Sequence, residues 1–436
     1  MLTLLGKRQT YCDGVSRRNF FKIGALGFSS LTLPQLTLPH LLRAEATSPA
    51  GAANNRSIIN VYLAGGPSHI DTFDPKPDAP PEIRGEFHPI STAVPGMEIC
   101  HLMPKLASIA TKFSLVRSLT GIRDEHAPDQ TESGWSENDL RTVGGHPSLG
   151  CVVAKLQGAT RGAVPTFVDL TGHTRHGFLG PVYSGFRPDG EGRNNLRLRG
   201  EITPERFHTR AELLSKLDHI RRDMDSSHAM DAMDAFNQRA YGVIASPKMA
   251  EALEWEKADA KVRERYGVAE HNENSRFLVA KRLVECGVRI ISFSWGGWDT
   301  HGDNFNSLRR MLPPLDVGLS AMIDDLESSG LLQSTMIVMW GEFGRTPRVN
   351  QTAGRDHWAG AASALVTGGG LKMGQVIGST NRYAETAKDR PVHIQEMFAT
   401  FYQQLGIDPR KSTIRDPNGR PQYLTAHPDP VAELLA

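Results

Sequence analysis

Acidic and imidazole side chains follow glycine-rich turns at four places along this chain. The segments are Gly65 to Pro75 with His69 and Asp71, Gly296 to Asn304 with Asp299 and His301, Gly341 to Pro347 with Glu342 and Arg345, and Gly354 to Trp358 with Asp356 and His357. Carboxylate oxygens and imidazole nitrogens bind divalent cations in proteins, and glycine lets the backbone turn tightly enough for such side chains to converge. The pattern predicts a divalent-metal site assembled from several loops.

Each of these residues also has an ordinary interpretation. An aspartate in such a loop is more often a helix cap or a turn former than a ligand. His69 could be a hydrogen-bonded loop histidine, and Arg345 could belong to a surface ion pair. The convergence of four segments favours the metal site.

The elements that must position these segments are alternating strands and helices. Strand-like apolar runs occupy 57–63, 113–118, 166–170, 288–295, 335–340 and 361–367. Helical periodicity is found at 102–112, 147–157, 274–286, 308–326 and 393–405, and Pro313 and Pro314 predict a bend in the fourth helix. This alternation is typical of an α/β domain whose mainly parallel sheet is covered by helices on both faces. Ligands of such sheets bind beyond the carboxyl ends of the strands, where the first three segments lie, and the fourth segment, 354–358, precedes the next strand.

Composition limits the kinds of partner and the organisation of the chain. With 49 Lys and Arg against 48 Asp and Glu, the formal net charge is +1, which does not indicate binding to nucleic acid or to an anionic membrane surface. Cys100, Cys151 and Cys286 have neither zinc-site nor disulfide spacing. Residues 184–267 are charged and helix-rich, and we interpret them as a helical insertion or cap within a domain at 47–436.

The amino-terminal segment has the features of an export signal. Arg17 and Arg18 stand before two phenylalanines, Lys22 and an apolar run to Leu38, and Ala44 to Ala46 offers small residues for cleavage. This pattern predicts a twin-arginine signal peptide at 1–46, recognised by the twin-arginine translocation machinery, and a periplasmic or secreted protein. No later run approaches ~18 apolar residues, so no stable membrane span is expected after cleavage. The ordinary alternative is an apolar helix with a chance arginine pair.

Seven motifs resemble an exported branch of the alkaline phosphatase and sulfatase superfamily. They are GGPSHIDTFDPKP at 65–77, RGEF at 84–87, VRSL at 116–119, HPSLG at 146–150, WDTH at 298–301, GEFGRTP at 341–347 and GRDHW at 354–358. On these motifs the chain is identified as a member of the domain-of-unknown-function 1501 family. The resemblance implies an alkaline phosphatase-like three-layer sandwich around the parallel sheet.

The resemblance also implies roles for individual residues. Asp71 takes the metal-ligand position after the first strand, and Asp299, His301 and His357 fall where the superfamily places ligands. Glu342 would be a further ligand or a base, although Phe343 stands where phosphatases usually have a histidine. Asp356, together with His357, would then supply what the missing histidine does not. The expected cofactor is one or two divalent ions of zinc, manganese or calcium.

The nucleophile is the least defined part of this expectation. No Cys-x-Pro-Ser-Arg motif is present, so a formylglycine sulfatase is not indicated. Thr120, Thr131 and Ser133 are candidates, but residues of these types are more often helix caps. His126 could be a ligand, a general acid or the attacking group, and a metal-activated water would need no protein nucleophile. Arg345 is expected to neutralise the anionic group of the substrate.

These expectations describe a metal-dependent hydrolase that acts on an anionic phosphate or sulfate ester. A non-catalytic binding or assembly protein that keeps the fold is the alternative, favoured by Phe343 and by the absent nucleophile motif. An isomerase that moves a phosphoryl group would use similar ligands, but such enzymes usually work inside cells, against the export signal.

Overall fold

The computed structural model describes residues 56–158, 164–188 and 247–435. The predicted leader, 1–46, and residues 189–246 of the predicted insertion lie outside the described residues. Among the described helices, none combines the length and apolar character needed to cross a membrane.

The described residues form sixteen strands and nine α-helices. The strands are β1 Ser57–Tyr62, β2 Pro89–Ser91, β3 Glu98–Cys100, β4 Phe113–Thr120, β5 Phe167–Asp169, β6 Ile290–Ser294, β7 Thr335–Trp340, β8 Gly344–Arg345, β9 His357–Trp358, β10 Ala362–Gly368, β11 Val376–Ile377, β12 Ser379–Thr380, β13 Ala387–Asp389, β14 Val392–His393, β15 Thr413–Arg415 and β16 Pro421–Tyr423. The helices are α1 Pro81–Arg84, α2 Pro104–Ser108, α3 Asp129–Ser133, α4 Leu149–Gln157, α5 Pro247–Leu253, α6 Ala260–Arg265, α7 Ser275–Glu285, α8 Asn304–Ser328 and α9 Ile394–Gln404.

Eight strands form the central sheet, in the order β11-β4-β10-β7-β1-β6-β5, with β14 also paired to β4. All neighbours are parallel except β10, which is antiparallel to both β4 and β7. The predicted mainly parallel α/β sheet is confirmed.

Helices cover both faces of this sheet and make it the middle of three layers. Along β1, whose six residues are all buried, Ile59 and Val61 face one apolar cluster and Ile58 faces the other. The first cluster receives the apolar faces of α7 and α8, and the second receives those of α4 and α9. A strand buried on both faces needs a continuous apolar run rather than an alternating one, which is why these strands were recognisable in the sequence.

The described end of the predicted insertion belongs to the body of the domain. Met249 and Tyr266 are fully buried in the same cluster as α7 and α8. The Tyr266 hydroxyl donates a 2.9 Å hydrogen bond to Asp325 on α8. Residues 247–267 therefore pack against the core through buried side chains such as Met249 and Tyr266, although their charged composition resembles that of a cap.

One edge of the sheet gathers the segments that were singled out by their chemistry. Strands β1, β4, β6 and β7 run in the same direction, so their carboxyl ends share this edge. Because β10 runs the opposite way, the chain that enters it, including His357 on β9, starts from the same edge.

Candidate metal centre

Three imidazoles and one carboxylate converge at this edge of the sheet. His126, Asp299, His301 and His357 each place one ligand atom within 4.8 Å of the others. Asp299 Oδ1 lies 3.0 Å from His301 Nε2 and 3.2 Å from His357 Nε2, and Asp299 Oδ2 lies 3.4 Å from His126 Nε2. We call these four residues the metal cluster. The sequence analysis singled out all four. It expected Asp299, His301 and His357 to be metal ligands and left His126 as a ligand, a general acid or the attacking group.

The other nitrogen of each imidazole in the metal cluster faces a carboxylate. The Nδ1 atoms lie 3.3 Å from Glu342 for His126, 2.8 Å from Asp356 for His301 and 2.6 Å from Asp124 for His357. Metal-bound histidines almost always have such a partner, which fixes the tautomer and the ring orientation. With each Nδ1 donating its proton outward, the Nε2 lone pairs all face the centre.

This arrangement fits a bound cation. The Nε2 atoms of His301 and His357 are 2.9 Å apart. Two lone pairs at that distance repel each other unless a shared proton or a cation lies between them, and a cation bound to both nitrogens would also contact Asp299. Three imidazole nitrogens and one carboxylate oxygen form a donor set suited to zinc or a similar transition metal.

Arg345 holds Asp299 in place from the protein interior. Its guanidinium is fully buried and donates to Asp299 Oδ1 at 2.7 Å, to the Gly66 carbonyl at 2.9 Å and to the carbonyls of Gly65 and Arg355. Although partial burial acts in the opposite direction, the hydrogen bonds from Arg345 and His357 hold the pKa of Asp299 at about 2. The expected contact between Arg345 and a substrate anion does not fit this position, because the side chain has no exposed surface.

Glu342 is buried beneath His126. Its Oε1 accepts the Gly65 N–H at 2.8 Å as well as facing His126, while its Oε2 is buried with no hydrogen-bond partner. Burial raises the pKa of this carboxyl group. Glu342 therefore orients a ligand from the protein interior and does not itself reach the centre of the metal cluster.

Phe343 stands at the motif position where the family resemblance led us to expect a histidine. Its ring is fully buried, with its centroid 4.3 Å from that of His357 and 5.2 Å from that of His126. This packing fixes the two imidazoles from the side, and the neighbouring space holds an apolar ring. The arrangement therefore favours a single ion.

Asp71 is not brought into the metal cluster. It is buried in an ion pair with Arg355, whose Nε lies 2.7 Å from Asp71 Oδ2 and whose second donor lies 3.0 Å from Oδ1. Ser68 and Asn304 also donate to Oδ2, at 2.6 and 2.9 Å. Both oxygens are thus already satisfied by the protein.

Asp356 lies at the outer side of the metal cluster. Its Oδ1 accepts from His301 and from the Asn350 amide at 3.3 Å, and the bond from His301 lowers the pKa of Asp356. Like Glu342, it is placed to orient a histidine.

The candidate hydroxyl nucleophiles point elsewhere. Thr131 donates to the Pro128 carbonyl at 3.0 Å, Ser133 to the Asp129 carbonyl at 2.7 Å, and Thr120 to the Val392 carbonyl at 3.3 Å. Thr131 and Ser133 are also buried.

Asp124 was missed by the sequence analysis. A charged run from Arg123 to His126 directly after a buried strand was the available signal, but nothing local indicated that Asp124 would meet His357, 233 positions away.

Replacing Asp124 with asparagine should weaken metal binding by roughly 10- to 100-fold, because the amide cannot accept the His357 proton as a carboxylate does. Competition titration with a chromogenic chelator would measure the change. Asp124 is 58 % exposed, so the melting temperature without metal should stay constant. The matched control is Asp324→Asn. Asp324 forms an ion pair with Lys112 at the opposite edge of the sheet, away from the metal cluster. Equal affinities of Asp124→Asn and wild type would contradict the assigned role.

A family model described as "Protein of unknown function (DUF1501)" matches residues 55–435. No curated protein matches the chain. Among solved structures, a sulfatase from Pseudoalteromonas sp. is similar with a TM-score of 0.39 and 10% identity, over 84% of this chain and 73% of that one. The lipoteichoic acid synthase LtaP from Listeria monocytogenes has a TM-score of 0.36 and 9% identity, over 82% of this chain and 73% of that one. At this distance neither likeness carries an activity over.

Proposed function

The chain belongs to the DUF1501 family, whose description assigns no activity, and from the geometry of its site we propose that it is an exported, metal-dependent hydrolase of phosphate or sulfate esters. The observation that carries the proposal is the metal cluster, in which three histidines with carboxylate partners and one ionised aspartate face a common centre.

The donor set narrows the expected ion. His126, His301 and His357 would supply nitrogens and Asp299 an oxygen, a combination that suits zinc or manganese better than calcium, which prefers oxygen ligands. A divalent ion there would supply Lewis acidity and lower the pKa of a bound water to roughly 7.

The surrounding residues keep the site in one arrangement. Arg345 keeps Asp299 ionised and fixed, and Glu342 and Phe343 hold His126 from the buried side. Asp124 and Asp356 are 58 % and 54 % exposed, so they orient His357 and His301 from the solvent side of the metal cluster. Because the Arg345 guanidinium is buried and bonded to Asp299 and to backbone carbonyls, the ion itself would provide the positive charge that attracts an anionic ester.

The test is metal content followed by hydrolysis. Full-length protein purified without chelator is expected to contain about one equivalent of zinc or manganese by mass spectrometry. Aryl phosphate monoesters, aryl phosphate diesters and aryl sulfates would then be assayed before chelation, after chelation and after the ion is restored. Loss and recovery of hydrolysis support the proposal. A chain that takes up no ion would overturn it.

The same experiment separates the alternative of a binding or assembly protein. A tightly bound ion without hydrolysis of any ester in the panel would favour that alternative, in which the metal cluster serves structure.

The proposed export rests on the leader alone. Changing Arg17 and Arg18 to lysine should keep the precursor in the cytoplasm, which fractionation and immunoblotting would show. Unchanged export of this variant would leave the arginine pair without a role.

A further inference from the structure

A groove outside the metal cluster has the chemistry of a ligand site. It encloses about 580 Å³, within the range of small-molecule sites in proteins. Two parts of the chain form it, residues 135–146 and the carboxyl-terminal residues 409–428. The residues that matter for the argument are Trp135, Asp139, His146, Arg410, Tyr423 and Thr425.

Trp135 presents a rigid aromatic surface to this groove. Its indole nitrogen donates to the Leu424 carbonyl at 3.0 Å, and its ring stacks on His146 with centroids 4.0 Å apart and planes 3° from parallel. Burial lowers the pKa of His146 to about 4, so the stacked pair is uncharged at neutral pH. A fixed, uncharged aromatic pair loses little entropy when a flat apolar face packs against it.

Tyr423 adds a second aromatic ring at the rim. It is 60 % exposed, and in the described ranges the only other exposed large hydrophobic residue is Leu156, at 39 %. Tyr423 ends β16, so its backbone is held by the pairing with β15. A tyrosine held there offers a ligand both an apolar ring face and a polar hydroxyl.

Polar groups accompany these rings. The Thr425 hydroxyl is buried with no hydrogen-bond partner, and Thr425 itself is only 2 % exposed. Asp139 and Arg410 also line the groove, and the Arg410 guanidinium is 62 % exposed although it contacts Asp429. An orphan hydroxyl is costly in a folded protein, and a ligand that reached the Thr425 hydroxyl after a local rearrangement would supply the missing partner.

We propose that this groove binds a saccharide chain. Sugar rings present flat C–H faces that pack on aromatic rings, and their hydroxyls bond to carboxylate, guanidinium and hydroxyl groups. Trp135 and Tyr423 would supply the faces, and Asp139, Arg410 and Thr425 the polar partners. The combination of a few polar groups with aromatic walls is the usual composition of a ligand site.

The groove is also connected to the segment that carries part of the metal cluster. Arg123 donates to the Ser136 hydroxyl at 3.2 Å, and that hydroxyl donates to Glu125 at 2.8 Å, so the neighbour of Trp135 in the chain is hydrogen-bonded to the neighbour of His126. Saccharide binding does not depend on the proposed function.

The test uses full-length protein and a panel of soluble hexasaccharides built from glucose, galactose or N-acetylglucosamine, titrated with chelator present. At least one should change the tryptophan fluorescence saturably, and calorimetry should give the same dissociation constant. Tyr423→Ala should weaken that binding about tenfold, the value of one aromatic contact. Because chelator is present, the outcome does not depend on whether the metal cluster is active.

Two further variants make the outcome specific. Leu156→Ala removes the other exposed hydrophobic residue and should bind as wild type does. Thr425→Val keeps the shape but removes the orphan hydroxyl, and should weaken binding without lowering the melting temperature. A panel with no binder would overturn the proposal, as would a Tyr423→Ala variant that binds as tightly as wild type.

Discussion

Replacing His301 with alanine should reduce metal affinity by more than the roughly 10- to 100-fold expected for loss of an orienting partner, because it would remove one of the four proposed ligands. His301 is central in the metal cluster, with Nε2 at 3.0 Å from Asp299 and 2.9 Å from His357. Metal content after dialysis against a limiting concentration of zinc should fall from about one equivalent to background. Any chelator-sensitive hydrolysis should be lost with it.

The fold should survive this change. The His301 side chain is 46 % exposed, so alanine leaves no buried cavity, and the circular dichroism spectrum should match that of metal-free wild type. His88→Ala is the matched control, since His88 is an exposed histidine that stacks on His101 outside the metal cluster. A His301→Ala protein that retains a full equivalent of metal would show that the cluster is not the binding site.

Replacing Asp71 with asparagine should lower the free energy of unfolding by about 3–5 kcal/mol, the usual cost of breaking a buried ion pair from one side. Both Asp71 and Arg355 have no exposed side-chain surface, so the Arg355 charge would remain buried without its partner. Urea unfolding followed by fluorescence would measure the loss. At low urea the variant should still bind its metal.

This prediction separates the two roles considered for Asp71. The control is Asp429→Asn, which removes an exposed ion pair with Arg410. It should change the free energy of unfolding by at most about 1 kcal/mol, and the loss in Asp71→Asn is judged against that value. An Asp71→Asn protein of normal stability that has lost its metal would restore the ligand role that the family resemblance implies.

The scaffold was predictable because its signals are local. The apolar run at 335–340 became β7 with the same bounds, and the run at 57–63 became β1 shortened by one residue. The long helix differed more at its ends: it begins at Asn304, four residues before the predicted start, and ends at Ser328, two residues after the predicted end, with Pro313 and Pro314 inside it as predicted. Tertiary packing along α8, where Leu312 and Leu315 are buried, outweighs the local preference that the prolines express.

The roles within the site were harder to predict because they depend on distant partners. Asp71 looked like a ligand until the fold placed Arg355, 284 positions later, against it. Arg345 looked like an anion-binding residue until its donors were seen to meet backbone carbonyls of another loop. Residue type and strand-end position predict which side chains gather at the edge, whereas only the packed structure distinguishes ligands from the residues that hold them.

In polymer terms, the metal cluster is a cross-link. Contacts of its residues join positions 58, 216 and 233 residues apart in the chain. An ion that binds only this closed arrangement would add about 4 kcal/mol to the stability of the folded state when present at a thousand times its dissociation constant. The lifetime of the folded protein would then follow the supply of one trace metal, whatever chemistry the ion performs.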